Sequence, residues 1–266
     1  MRILGITGAS GVLGSILIPR LHEMGFETSS FSGDICSRED IRKWLSNVEL
    51  DGIVHLAAIV ATSDVVDNPL LAFNVNVSGT INIMLEASER WRGERKWFFL
   101  ASTSHVYASK DTPISEDDDL LPTTLYGKTK LMAEKVVFEI GKIKAYPFDV
   151  CIGRIFSFYH MSQKRPFLYP NIRFRLEHED LSKPFFLPGA NCVRDFSNAE
   201  DIADIIATLA VRRSTGIFNI ASGKPVSIRD FVQALSPERL QIVTDKKGDS
   251  LVANVDKLRI ELCKNE

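Results

Sequence analysis

Tyr126 and Lys130 stand four residues apart in Leu125-Tyr-Gly-Lys-Thr-Lys130, so a helix there sets the phenol and the ammonium on one side. A phenol within reach of a carbinol or ketone oxygen can exchange a proton with it, as hydride transfer at that carbon requires. Free tyrosine ionises near pH ~10, and a neighbouring ammonium favours the phenolate. Upstream, Lys96-Trp-Phe-Phe-Leu-Ala101 reads as a strand that delivers Ser102-Thr-Ser-His105. Thr103 suits a hydrogen bond that turns the reacting oxygen towards Tyr126, and Ser104 is its neighbouring alternative. His105 follows Thr103 by two residues and shares its side if the segment is extended. An imidazole there has two readings: a base beside a keto group, or a hydrogen-bonding wall of the pocket. A Tyr-x-x-x-Lys pair by itself usually marks a solvated helix face, so the surrounding elements decide its meaning.

Those elements begin at the first residues. Met1-Arg-Ile-Leu-Gly-Ile-Thr7 has strand character, Gly8-Ala-Ser-Gly11-Val-Leu-Gly14 breaks it, and Ser15–Leu21 resumes with helical spacing. A strand feeding a glycine turn that opens a helix is the phosphate-cradling half of a dinucleotide fold. Gly8, Ser10, Gly11, Val12, Leu13 and Gly14 are therefore predicted to hold a cofactor pyrophosphate. Gly25–Phe31 reads as a second strand, at whose end an acid would bind ribose hydroxyls and an arginine a 2′-phosphate. Ser30, Phe31 and Ser32 make neither choice. Asp34 and Ile35 come next, where Asp34 fits an adenine-edge contact or a turn. Ser37 is a helix cap for the segment that follows. Asp51–Ala58 is a buried strand, and a long amphipathic helix is expected over Asp67–Ala87. Asn76 inside that helix has poor helix propensity and calls for a specific hydrogen bond.

The chain has 266 residues, 45% of them hydrophobic and 25% charged, with net charge −2. That balance fits a globular protein and gives no basic field for nucleic acid or an anionic membrane. Cys36, Cys151, Cys192 and Cys263 are scattered, without metal-ligand spacing, and fit free thiols of a reducing cytosol. No metal is expected, and no run approaches the ~18 apolar residues of a membrane span. A cytoplasmic location is the corresponding expectation.

Thr7-Gly8…Gly14, His55-Leu-Ala-Ala58, Asn76-Val-Ser-Gly-Thr80, Thr103 and Tyr126-Gly-Lys-Thr-Lys130 occur in the order of the extended short-chain dehydrogenases/reductases. The chain resembles the NAD-dependent epimerase/dehydratase group acting on nucleotide sugars. Arg154, Arg194-Asp195-Phe196 and Phe218-Asn219-Ile-Ala-Ser-Gly223 continue the resemblance to the C-terminal end. It implies an α/β fold, a Rossmann-type doubly wound parallel sheet with a small C-terminal substrate-binding lobe. Residues 1–155 would form the dinucleotide domain and 156–266 mainly the lobe, with segments such as 192–222 returning to the first. The cofactor would be NAD or NADP, contacted further by Leu56, Ala57, Ala58, Asn76, Tyr126 and Lys130. Thr103, Tyr126 and Lys130 would be catalytic, Ser104 and His105 would line the sugar site, and Arg194 would pair with the substrate's phosphates. The near-direct step from the second strand to Asp34 is similar to dTDP-4-dehydrorhamnose reductases. Ser104-His105 stands where the family's dehydratases place Asp-Glu, which argues against 4,6-dehydration. The leading expectation is a 4-keto-sugar reductase, the alternative an epimerase with retained NAD, and the third a non-catalytic cofactor-binding protein. The helices around 72–88 and 126–140 resemble those of the family's dimer interface and imply a homodimer.

Overall fold

In the computed structural model, residues 2–91, 94–143, 148–245 and 247–264 are described. The opening apolar run is strand β1 (Arg2–Thr7), which feeds helix α1 (Val12–Glu23) and strand β2 (Phe26–Ser30). Helix α2 (Arg38–Ser46) starts at Ser37, whose side chain accepts the Asp40 N–H, and leads to β3 (Gly52–His55). Next come α3 (Thr62–Asp67), α4 (Pro69–Phe73) and α5 (Thr80–Arg90), then β4 (Lys96–Thr103), α6 (Leu125–Lys142) and β5 (Phe148–Ile155). The remainder comprises β6 (Ser157–Tyr159), α7 (Leu168–His178), β7 (Phe185–Phe186), β8 (Val193–Asn198), α8 (Ala199–Arg212) and β9 (Gly216–Ile220). It ends with β10 (Pro225–Ser227), α9 (Ile228–Leu235), β11 (Ile242–Val243), β12 (Ser250–Leu251) and α10 (Asp256–Cys263).

Six strands pair in parallel in the order β2-β1-β3-β4-β5-β9. Both faces are covered, which is why β3 and β4 read as nearly unbroken apolar runs. On one face Leu17 and Leu21 of α1 and Ile202 and Ile206 of α8 close over Leu4, Ile6 and Phe99. On the other, Ile41 and Leu45 of α2, Ile83 and Met84 of α5, and Ala133 and Val137 of α6 close over Ile53, Phe98 and Ile152. Each fully buried leucine or isoleucine contributes about 1.5–3 kcal/mol. The chain leaves β1 towards β2 and returns to β3 on the other side, so a crevice opens at the carboxyl ends of β1 and β3. β2 is the sheet edge, because the chain turns from it directly towards Asp34 and α2.

The second half builds a small sheet, β10-β8-β12 with β6 paired to β8, and a separate β7–β11 pair. Ile172, Phe185, Leu187, Val232 and Ile242 form its own core. One expected element differs in detail. The Asp67–Ala87 helix starts at Pro69, where Asn68 caps the Leu71 N–H, and its middle, Asn74–Gly79, is wound as a π-helix. After β5 the chain forms β6, which leaves the main sheet to pair with β8. Among the described residues, no helix is long and apolar enough to cross a membrane.

Candidate active site

At the carboxyl end of β1 the Gly11 N–H closes a turn on the Gly8 carbonyl at 3.0 Å. Gly8 adopts φ +71°, and a Cβ at Gly14 would collide with the Gly8 and Ala9 backbone. Gly11 caps α1 without a side-chain hydrogen bond, and the first turn carries no acid. The N–H groups of Val12, Leu13 and Gly14 and the positive end of the helix dipole are thus left for an anion. This is a cradle that side chains would fill, and it fits a pyrophosphate. Beside it lies a cleft of about 340 Å³ lined by Gly8, Ala9, Ser10, Phe31, Ser32, Gly33, Asp34, Ile35 and Ala57. Asp34 also shapes the turn, since its Oδ1 accepts the Cys36 N–H at 2.9 Å. Arg38 is held on Glu86 at 2.6 Å, where Arg42 joins it at 3.0 Å.

The loop after β3 carries Leu56, Ala57 and Ala58 along the crevice. Leu56 N–H donates to the Thr7 carbonyl, and Ala57 N–H to Thr7 Oγ1, both at 3.2 Å. Asn76 makes the specific hydrogen bonds that its mid-helix position calls for. It is 0% exposed, its Oδ1 accepts the Ile59 N–H at 2.8 Å, and its Nδ2 donates to the Ile59 carbonyl and to Thr129 Oγ1. Its amide is committed to these partners, and through them Asn76 holds the loop from behind. The π-helical turn around it gives the amide this aim, a kind of local irregularity common at functional sites.

β4 ends at Thr103, and a 3₁₀ turn, Ser104–Val106, follows. The strand alternation expected for His105 therefore does not hold. The turn itself brings the His105 ring edge-on to Tyr126, with centroids 5.8 Å apart. Thr103 Oγ1 accepts the His105 N–H at 3.2 Å, and Ser104 is buried in the turn. Thr124 caps α6 by accepting the Gly127 N–H at 3.0 Å. A Cβ at Gly127 would strike the His105 carbonyl, so this glycine lets α6 sit directly on the turn. Tyr126 packs among Val65, Ala72 and Ile59.

Burial pushes the Tyr126 phenol up to about 12, and the Thr103 hydroxyl pulls it the other way. Burial lowers Lys130 to about 8, against the opposing charge of Glu134. The expected depression of Tyr126 by Lys130 is thus not what the protein achieves unaided, because desolvation of the phenolate dominates. His105 is lowered by burial and then by the Arg194 charge, with Asp249 acting against both. Arg194 stands near His105 but is engaged by Asp249 at 2.8 Å and by its own residue's neighbour, the Val193 carbonyl, also at 2.8 Å. Asp195 is no partner for it, being saturated by Ser222, Gly223 and Ala253. A phosphate ligand would have to compete with Asp249 for Arg194.

Residues 28–264 match the family model described as GDP-mannose 4,6 dehydratase. The chain belongs to that family, the NAD-dependent epimerase/dehydratases of nucleotide sugars. The GDP-mannose 4,6-dehydratase sdnI of Sordaria araneosa is 24% identical over 256 residues, covering 86% of this chain but 46% of that protein. This chain therefore spans under half the length of that relative. A UDP-glucose 4-epimerase of Streptomyces lividans is 26% identical over 262 residues, covering 86% of this chain and 79% of its own. In fold, MoeE5, solved with UDP-glucuronic acid and NAD, superposes with TM-score 0.83 at 24% identity, covering 98% and 92% of the two chains.

One part of the site carries no local sequence signal. Glu134, one helical turn past Lys130, is gripped by Arg154 through Nε and, at 2.9 Å, Nη2, and also accepts the Ser102 hydroxyl. Arg154 Nη1 donates to Tyr107 Oη at 2.8 Å, and Tyr107 donates to Asn219 Oδ1 at 2.7 Å. The side chains of Arg154 and Glu134 are 2% and 4% exposed. The pair ties α6 to β4 and β5 one helical turn past Lys130. A glutamate at the end of Leu131-Met-Ala-Glu134 looks like a solvated helix position, and only the distant arginine reveals its role.

Proposed function

We propose that this chain is an NAD(P)-dependent oxidoreductase of a nucleotide-activated sugar, most like a 4-keto-sugar reductase, with Tyr126 as general acid. The observation that carries this reading is the buried Tyr126 phenol against Thr103, with Lys130 one turn on, at the same sheet edge as the glycine cradle. When bound, the nicotinamide would supply the hydride. Gly8 to Gly14 would hold its pyrophosphate, the Ser32–Ile35 rim its adenosine, and Lys130 its ribose. Thr103 orients the sugar's carbonyl oxygen, Tyr126 gives it a proton, and charged Lys130 stabilises the phenolate left behind. Ser104-His105 in place of Asp-Glu speaks against 4,6-dehydration.

Reduction depends on Lys130 keeping its charge. Its lowered value means that deprotonation near pH 8, not near the ordinary lysine value, removes it. The rate is expected to fall as pH rises through about 8, and a pH profile at saturating cofactor checks this. The second reading, an epimerase, is supported by the name of the Streptomyces lividans relative. Cofactor balance separates the two. A reductase oxidises NAD(P)H stoichiometrically, whereas an epimerase turns over with none added. A panel of nucleotide sugars screened by thermal shift with each cofactor supplies the substrate for that assay.

The cleft rim offers no carboxylate at Ser30–Ser32 to repel a 2′-phosphate, and Arg38 is occupied by Glu86. Cofactor choice should be relaxed, with NAD(H) slightly preferred. Dissociation constants for NADH and NADPH differing by more than about a hundredfold, ~2.7 kcal/mol, would contradict this. A homodimer is the proposed assembly. Val66, Leu70 and Leu71 on α3 and α4 and Met132 and Phe138 on α6 are exposed apolar side chains on helices packed together. Light scattering should give twice the 29.8 kDa chain mass, and Leu70→Asp with Met132→Glu should halve it. A wild-type monomer at micromolar concentration would refute it.

A further inference from the structure

An unbroken series of hydrogen bonds, buried in all but its first link, runs from the phosphate turn to helix α6. Ala57 N–H donates to Thr7 Oγ1 at 3.2 Å, and Thr7 Oγ1 lies 2.7 Å from His55 Nδ1. His55 Nε2 lies 2.9 Å from Thr80 Oγ1, which donates to the Asn76 carbonyl at 2.8 Å. Asn76 Nδ2 donates to Thr129 Oγ1 at 3.1 Å, and Thr129 donates to the Tyr126 carbonyl at 2.8 Å. Thr7, His55, Asn76, Thr80 and Thr129 are all buried. One end lies next to Gly8, the middle holds the loop that carries Ala57, and the other end is the residue proposed to give the proton.

The direction of every link follows from which atoms can only accept or only donate. The Asn76 carbonyl only accepts, so the Thr80 proton points to it and Thr80 Oγ1 receives its hydrogen from His55 Nε2. His55 Nδ1 then carries a lone pair and accepts from Thr7, whose oxygen already receives the Ala57 N–H. The Asn76 amide is fixed the right way round by Ile59, whose N–H meets Oδ1 and whose carbonyl meets Nδ2. The opposite imidazole tautomer would set Thr80 Oγ1 against the Asn76 carbonyl with no proton between them. A doubly protonated ring would turn the Thr7 proton away. Burial and the Lys130 charge both disfavour that cation and lower His55 to about 3.

We propose that His55, fixed as the neutral Nε2–H tautomer, is the positioning residue of a hydrogen-bonded spine that makes the geometry of the phosphate turn and that of Tyr126 interdependent. This rests on the cofactor reading above. It follows that a ligand filling only the turn is felt at Tyr126, although it does not reach the nicotinamide end of the crevice.

ADP is such a ligand, and nitrogen-15 spectra of the full chain provide the test. His55 should show a protonated Nε2 and a bare Nδ1 at neutral pH, and a protonated Nδ1 overturns the proposal. Adding ADP should shift the amide signals of Gly8 and Gly11 and also those of Tyr126 and Gly127. Thr80→Val should keep the first response and lose the second, and Thr80→Ser, which retains the hydroxyl, should restore it. Thr129→Val cuts another link and should behave as Thr80→Val does if the latter folds poorly. If ADP leaves Gly8 and Gly11 unmoved, the cofactor reading fails and the spine with it. If it moves them without moving Tyr126, or if both valine variants still respond at Tyr126, the spine is wrong and the cofactor reading stands.

Discussion

Tyr126→Phe is expected to lose turnover by a factor on the order of 10²–10⁴, the usual contribution of a positioned proton donor. In the same variant the NAD(H) dissociation constant should stay within a few-fold. The change removes one hydroxyl and leaves the ring, which keeps its contacts with Val65, Ala72 and His105. Lys130, which would hold the ribose, is untouched, and the glycine cradle lies between β1 and α1. The change removes one hydrogen bond, to Thr103, worth about 0.5–1.5 kcal/mol, so the thermal unfolding midpoint should fall only slightly below wild type. The decisive comparison is the rate at saturating cofactor and sugar. A rate near wild type would remove Tyr126 from the chemistry.

The largest stability effect should come from the buried ion pair behind the site. Arg154→Met leaves Glu134 charged, desolvated and without its main partner, at a cost of about 3–5 kcal/mol. It also strands Tyr107, whose oxygen accepts from Arg154. Replacing both partners, Arg154→Met with Glu134→Met, removes the uncompensated charge and should recover much of that loss. Denaturant unfolding of the two single variants and the double variant measures the difference. A loss below about 1 kcal/mol for Arg154→Met, the size of a surface pair, would show that the pair is not a keystone of this core. The double variant also tests whether the pair supports catalysis, since it leaves Thr103, Tyr126 and Lys130 in place.

What was legible in the sequence was local. Gly8, Gly11 and Gly14 between a strand and a helix, and Tyr126 four residues before Lys130, each declare their geometry over a few positions, and the structure places them so. Ser37 was readable as a cap for the same reason. Roles set by partners far away in the chain were not legible. Asn76 carries a family motif, yet its aim depends on a π-helical winding and on Ile59 and Thr129. The partner of Arg194 is Asp249, on a segment that carries no signal of its own. His105 reaches Tyr126 through a 3₁₀ turn that strand alternation did not foretell. The high phenol value of Tyr126 reflects burial, which four-residue spacing does not report.

On the proposed function, Tyr126 gives a proton to a nucleotide sugar as it is reduced. The most direct test follows cofactor and sugar together, using NADH or NADPH with those nucleotide-linked 4-keto sugars that raise the thermal stability of the chain. Wild type should oxidise one cofactor for each sugar reduced, and Tyr126→Phe should do both on the order of 10²–10⁴-fold more slowly. Sugar converted with no net oxidation of cofactor, or reduced at an undiminished rate by Tyr126→Phe, would contradict it.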